Sequence, residues 1–235
     1  SLLLEQMIEK ARAAYPSDLE IQLLAGTMWM DKKDNDRALQ VYREALKRAP
    51  KRPEAYLAIA DLHLASKTNQ GKISAAKILD QGIQNVTKTV PLWEKKLEIA
   101  SGQPEQQIQI LNTLIKLDSS RPVAEQDALF RMKLGVVYRD LDRTDEALAQ
   151  FDRVPVVKLS GDYLKVYISL LLGASTTASG ESGLAKAENL AATYITNNNK
   201  DPLAHILMGE VLVHKGELAK AENHLKRATE FAKIE

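Results

Sequence analysis

An all-helical solenoid of repeated helix pairs is the fold class this sequence predicts, and three observations carry the prediction. Apolar residues recur at spacings of three and four down the chain, as amphipathic helices require, with no sustained β-branched alternation. Pro16, Pro50, Pro53, Pro91, Pro122 and Pro202 mostly fall in the gaps between these runs, where helices stop or start. The hexapeptide Leu184-Ala-Lys-Ala-Glu-Asn189 recurs unchanged as Leu218-Ala-Lys-Ala-Glu-Asn223, a shift of 34 residues. A fixed period of that size marks a repeat architecture, in which each unit buries a face against the next.

Composition narrows the function classes. Of 235 residues, 45% are apolar and 27% charged, which is enough to bury a core. The 32 Lys and Arg nearly balance the 31 Asp and Glu, so the net charge of +1 provides no general attraction to nucleic acid or anionic membrane. The absence of Cys removes disulfides, thiolate nucleophiles and Cys-ligated zinc together. The longest apolar run, Val166 to Gly173, is too short to cross a bilayer and reads as a buried helix. The opening Ser1-Leu-Leu-Leu-Glu5 has no basic region or cleavage pattern, and nothing in the sequence fixes a compartment.

Three segments share one arrangement of residues. From Leu19 it is Ala25, Gly26 and Trp29, then Ala38, Tyr42, Ala45 and Pro50. From Ala128 it is Leu134, Gly135 and Tyr138, then Ala147 and Phe151, with Val154 in the last small-residue position. From Pro202 it is Met208, Gly209 and Leu212, then Ala221, Leu225 and Ala228. These residues resemble the tetratricopeptide repeat family, whose pattern sets a large residue, Leu-Gly and Tyr on a first helix, then Ala, an aromatic and Ala on a second. The resemblance implies a right-handed superhelical solenoid of antiparallel helix pairs.

In chain order, residues 1–18 (Leu4, Ile8, Ala11, Pro16) fit the second half of a repeat whose first helix is missing. Residues 19–52 are the first full repeat. Residues 53–89 carry Tyr56, Ile59 and Ala60, then Ala75, Leu79 and Gly82 about three positions late, so Ser66 to Gly71 reads as a lengthened turn. Residues 90–120 keep Trp93, Leu97, Leu111 and Leu114 as a degenerate pair shorter than one period. Residues 128–161 form the next strong repeat. Residues 168–201 retain Ala174, Ala187 and Tyr194, with Ser175 where Gly is usual and a Ser/Thr/Gly-rich turn from Ser175 to Gly183. Residues 202–235 end just after a second helix, so the chain reads as a piece of a longer protein. Gly within a helix costs about 1 kcal/mol relative to Ala. Gly26, Gly135 and Gly209 therefore predict a neighbouring helix lying against each.

No residue pattern argues for catalysis, and no cofactor is predicted. His63, His205, His214 and His224 lack the spacing of a helical metal site, and His205 reads as a core or interface side chain. Gly180-Glu-Ser-Gly183 lacks the Lys-Ser/Thr ending of a phosphate loop, and no Gly-x-Ser-x-Gly elbow occurs. The run Lys47-Arg48-Ala-Pro-Lys51-Arg52 has two readings. It is a contact for an acidic partner or a phosphate backbone, or a set of cations opposing the dipole at a helix carboxyl end; its shortness and lack of interleaved aromatics favour the second.

The resemblance places a partner's peptide along the concave face built from first helices. Carried across, that face comprises Leu23, Thr27, Met30, Leu57, Asp61, Leu64, Met132, Val136, Arg139, Leu172, Thr176, Ile206, Glu210 and Val213. Leu23 and Thr27 stand where some relatives place a Lys/Asn/Arg clamp for acidic chaperone tails, so that clamp is absent. The expected groove is largely apolar and suits an amphipathic helix or an extended apolar segment of a protein partner, although neighbouring repeats could cover several of these residues. Two other functions remain open. One is a spacer that self-associates through open solenoid ends in a larger assembly, such as a bacterial envelope or secretion machine; the other is a non-catalytic arm of an enzyme.

Overall fold

The computed structural model describes residues 2–119, 127–174 and 182–233. Among these residues there are thirteen α-helices, one short 3-10 turn and no strand. The chain divides into two compact units, Ser1–Gln106 and Gln107–Glu235. The first holds α1 (Leu2–Ala14), α2 (Leu19–Asp31), α3 (Asn35–Arg48), α4 (Pro53–Leu64), α5 (Asn69–Asn85) and α6 (Val90–Ile99). The boundary falls in the first turn of α7 (Pro104–Ser119). The second unit continues with α8 (Asp127–Asp140), α9 (Thr144–Phe151), the 3-10 turn Val156–Lys158, α10 (Gly161–Gly173), α11 (Gly183–Asn197), α12 (Pro202–His214) and α13 (Leu218–Phe231).

Local chemistry sets these limits. The Asp18 and Asp34 carboxylates accept from the backbone N–H groups of Ile21 and Arg37, each at 3.1 Å, and Asp201 accepts from Leu203 N–H at 2.9 Å. These caps satisfy donors that the first helical turn leaves without partners. Pro53, Pro91 and Pro202 sit in first turns, where a missing N–H is harmless.

The turns inside the pairs share one geometry. Lys33, Lys67, Gly102, Asp142 and Gly216 all take positive φ, between 53° and 79°. In three of these turns the third residue past the helix donates back to the residue five before it: Asp34 N–H to Trp29 O, Arg143 N–H to Tyr138 O and Glu217 N–H to Leu212 O, each at 2.9 Å. This is a Schellman closure. It falls on the aromatic or Leu that follows each helical Gly in the repeat pattern.

The α4–α5 turn departs from it. There Ser66 Oγ donates to His63 O at 2.8 Å, and Thr68 caps α5 by accepting from Gly71 N–H at 3.0 Å. The helix therefore begins at Asn69, and the lengthened turn read as Ser66 to Gly71 shrinks to residues 65–68. Gly71 lies in the first turn of α5, and glycine is required there because a Cβ would sit 2.4 Å from His63 O.

Two further boundaries differ from the sequence reading. The first helix of the repeat begun at Ile168 starts earlier, at Gly161, so Ala174 is its cap rather than a mid-helix residue. In the preceding pair α9 stops at Phe151, ahead of Val154 and of Pro155, which has no N–H to continue a helix. Gly183 opens α11, with its Cβ position 2.2 Å from Leu171 O; the rest of the Ser175–Gly183 turn, apart from Ser182, lies outside the described residues.

The cores follow from close approach at glycine. A Cβ on Gly26 would fall 2.1 Å from Tyr42 Cε1, and one on Gly135 would fall 2.6 Å from Phe151 Cε2. Phe151 stacks on Tyr167 with ring centroids 5.2 Å apart and planes 14° from parallel. In the amino-terminal unit Tyr56 lies over Gly82 and donates from its hydroxyl to Pro50 O at 2.9 Å. Ala25, Ala38, Ala60, Ala75, Ala147, Ala187 and Ala221 are buried where helices meet.

Candidate functional site

The residues expected to form a partner-binding face lie on the first helices of the pairs. On α2, Leu23 and Met30 are half-buried against Ala38, Tyr42, Ile59 and Leu62. Thr27 between them is exposed, and its hydroxyl donates to Leu23 O at 3.0 Å and lies 3.2 Å from the Tyr42 hydroxyl. On α4, Leu57 and Leu64 are half-buried against the cluster around Tyr56 and Leu79. Asp61, exposed, pairs with Lys95 at 3.0 Å.

The second unit treats the corresponding positions unequally. Met132 is a core residue, 5% exposed among Leu148, Phe151, Ile168 and Leu171, so it presents nothing to a ligand. Val136 and Leu172 pack half-buried against the same cluster, and Arg139 pairs with Asp140 at 2.7 Å. Thr176 lies outside the described residues. On α12, in contrast, Ile206 and Val213 are 36% and 47% exposed. Glu210 lies between them on the same helical face, at spacings of four and three. Its Oε2 is buried and has no hydrogen-bond partner among the described residues.

An apolar strip running evenly along the first helices is thus not what these residues form. Most of the apolar positions are committed to packing against the second helix of their own pair and the first helix of the next. What stays open is the α12 face, with isolated polar positions at Thr27 and Asp61.

Residues 5–53 and 30–77 match the family model described as tetratricopeptide repeat. That stretch, residues 5–77, carries tetratricopeptide repeats. A tetratricopeptide repeat protein from Parabacteroides merdae is similar in structure at 16% identity and a TM-score of 0.55, over 90% of this chain and 78% of that one. PilW, a widely conserved type IV pilus biogenesis factor, is similar at 15% identity and a TM-score of 0.53, over 88% of this chain and 90% of that one. At such identities the likeness is one of fold. No curated protein matches the sequence. The tetratricopeptide fold is in general a scaffold for protein–protein interaction, and such repeats are generally non-catalytic.

Other groups in the helix pairs bear on the chemistry available. His205, 2% exposed, lies 3.0 Å from Asn199 O through Nε2 and 3.1 Å from His224 Nδ1 through its own Nδ1. A carbonyl only accepts, so His205 Nε2 carries the proton and its Nδ1 accepts from His224. Burial, with His205 and Arg227 nearby, lowers the His224 pKa below the ordinary histidine value. Burial, then the Asp201 carboxylate that accepts from its hydroxyl at 2.8 Å, pushes Tyr194 up to about 12. Among the described residues no cluster of three or more His, Cys, Asp or Glu is placed to hold a metal ion, and no helix is long and apolar enough to cross a membrane.

Two features escaped the sequence reading. The partnerless oxygen of Glu210 has no sequence signature, because it depends on what surrounds α12. The basic run from Lys47 to Arg52 is not one feature. Arg48 donates to Pro16 O and Arg52 pairs with Glu54 at 2.8 Å, whereas Lys47 and Lys51 line a cleft.

Proposed function

We propose that this protein is a non-catalytic scaffold that holds a peptide or helix of a partner protein against the exposed face of α12. The observation that supports this most is the trio Ile206, Glu210 and Val213: two exposed apolar side chains flanking a carboxylate with an unsatisfied buried oxygen. Leaving such an oxygen without a donor costs about 1–3 kcal/mol, which a partner's N–H or cation recovers once the Glu210 side chain turns outward to meet it. Covering the two apolar side chains adds a favourable term that scales with the area removed from water. An amphipathic segment presenting apolar residues on either side of a donor meets both requirements.

The test compares the parent chain with an Ile206→Asp, Val213→Asp double variant. Both side chains are exposed, so the fold should tolerate the change. A partner captured by the parent is purified and titrated against both proteins. The reading expects at least about tenfold weaker binding by the variant. Equal affinity would remove α12 from the interface.

A second reading, self-association, has its own observation. Leu2, Leu3, Leu4 and Met7 on α1 are 55–71% exposed, and Leu24 beside them is 54% exposed. A contiguous apolar surface of that kind marks an interaction site. Sedimentation equilibrium decides it: a concentration-dependent dimer that Leu3→Lys, Met7→Lys abolishes supports self-association, and a monomer at all concentrations excludes it.

A further inference from the structure

We infer that the cleft between α3 and α5, floored by α4, is a second binding site, for an acidic peptide segment that carries an apolar side chain. The cleft has a volume of about 750 Å³ and lies wholly within the amino-terminal unit. Its floor is apolar: Leu46, Tyr56, Ile59 and Ile78 line it, with Pro50 at one end. Its rim is cationic. Arg43 and Lys47 from α3, Lys51 from the following turn and Lys77 from α5 all line it, all are exposed, and among the described residues none forms an ion pair. Among the described residues no carboxylate lines it.

That last fact follows from where the nearby acids go. Glu44 of α3 turns away to Arg12 at 2.6 Å, Glu54 of α4 is held by Arg52 at 2.8 Å, and Asp61 of α4 is held by Lys95 at 3.0 Å. Asp80 of α5 pairs with Lys96. Each is neutralised by a cation outside the cleft, so four positive charges face a shared concavity uncompensated in a chain whose net charge is only +1. Like charges held together without counter-charges raise the local potential and favour an anionic ligand. His63, also in the lining, does not add to that charge near neutral pH, because burial and then Arg43 hold its pKa below the ordinary value.

The floor selects between anionic ligands. Its one phenyl-type ring, Tyr56, is 1% exposed and its hydroxyl is fixed between Pro50 O at 2.9 Å and Asn85 Nδ2 at 3.2 Å, which leaves only the half-buried His63 imidazole as a ring for a nucleobase to stack on. An aliphatic floor with a cationic rim instead fits a side chain such as leucine flanked by glutamate or aspartate. Gln81 and Ser74 in the lining can hydrogen-bond that segment's backbone. The site uses the second helices of two pairs and none of the residues of the α12 face, so either assignment can fail without the other.

The experiment is a fluorescence-anisotropy titration of the full chain with a labelled synthetic peptide alternating glutamate and leucine. A Lys47→Glu, Lys77→Glu variant is compared with a Lys10→Glu, Lys116→Glu control that makes the same change of net charge elsewhere on exposed positions. The inference expects parent and control to bind alike and the cleft variant to bind about tenfold or more weakly. It also expects a glutamate–serine peptide and a glutamine–leucine peptide to bind poorly. Four results would overturn it: no binding by the parent, equal loss in both variants, equal binding of the glutamate–serine peptide, or tighter binding of a single-stranded oligonucleotide of equal charge.

Discussion

Replacing the three helical glycines of the strongest repeats by alanine should give three different answers, because the neighbour each new methyl meets differs in its freedom to move. In an otherwise unhindered helix, Gly→Ala stabilises by about 1 kcal/mol. Against this stands overpacking, about 1–3 kcal/mol where a neighbour cannot retreat. At Gly26 the Cβ would sit 2.1, 2.5 and 2.6 Å from three carbons of the Tyr42 ring. That ring is 2% exposed and its hydroxyl is held near Thr27 Oγ1 and Met30 Sδ, so it has nowhere to go. The upper end of the overpacking range applies, and the net loss is about 2 kcal/mol. At Gly135 the nearest contact is 2.6 Å to Phe151, which is stacked on Tyr167. The net loss there is about 1 kcal/mol. At Gly209 the nearest atom is Leu225 Cδ2 at 2.9 Å, and Leu225 is 43% exposed and free to change rotamer. The helix-propensity gain then dominates, giving a change between zero and a stabilisation of about 1 kcal/mol. Urea unfolding followed by circular dichroism ranks the three. Equal stabilisation at all three sites would refute the argument that close helix approach is what requires glycine.

Further predictions follow from particular groups. The His224 pKa lies below its unfolded value of 6.5, chiefly through burial, and His63 shifts the same way for the same first cause. Above about pH 6.5 both states are neutral there; as the pH falls through that value the unfolded chain takes up protons that the folded chain resists, so stability is lost toward the lower folded pKa. Thermal melts should therefore fall between about pH 7.5 and pH 5.5, with a shallower slope in His224→Gln; stability rising in that window would contradict the assignment. Lys67→Gly relieves a left-handed residue at φ 53° and should stabilise by about 0.5 kcal/mol after the added unfolded-state freedom of glycine, measurable by urea midpoint. Met132→Glu, which buries a charge in a core position, should unfold the second unit or lower its stability by several kcal/mol, whereas Ile206→Glu should change it by less than about 1 kcal/mol; circular dichroism melts of the pair separate the two positions.

The helix pairs around Gly26, Gly135 and Gly209 were legible in the sequence because their signal is local and chemical. A glycine inside an apolar helix, followed three residues later by a large side chain, has few explanations other than close packing. Boundaries were less legible where the local signal was ambiguous. The apolar run from Val166 to Gly173 reads equally well in several phases, and the start at Gly161 is set by the 3-10 turn before it. Gly71 resembles a turn residue, and only the proximity of His63 O shows why a helix position demands it. The candidate site depends still more on tertiary context. Met132 and Ile206 are both apolar residues on first helices, yet one is packed on all sides and the other is open. Likewise the cations from Lys47 to Arg52 look equivalent in sequence and face different surroundings in space.

Site-specific photo-crosslinking tests the scaffold assignment most directly. A photoreactive residue replaces Ile206 or Val213 in the source cell, with Asn189 and Asn223, both exposed on second helices, as reference positions. The account predicts one common protein adduct at Ile206 and Val213 that is absent or much weaker at the references. Adducts of equal strength at all four positions, or adducts confined to Asn189 and Asn223, would contradict it.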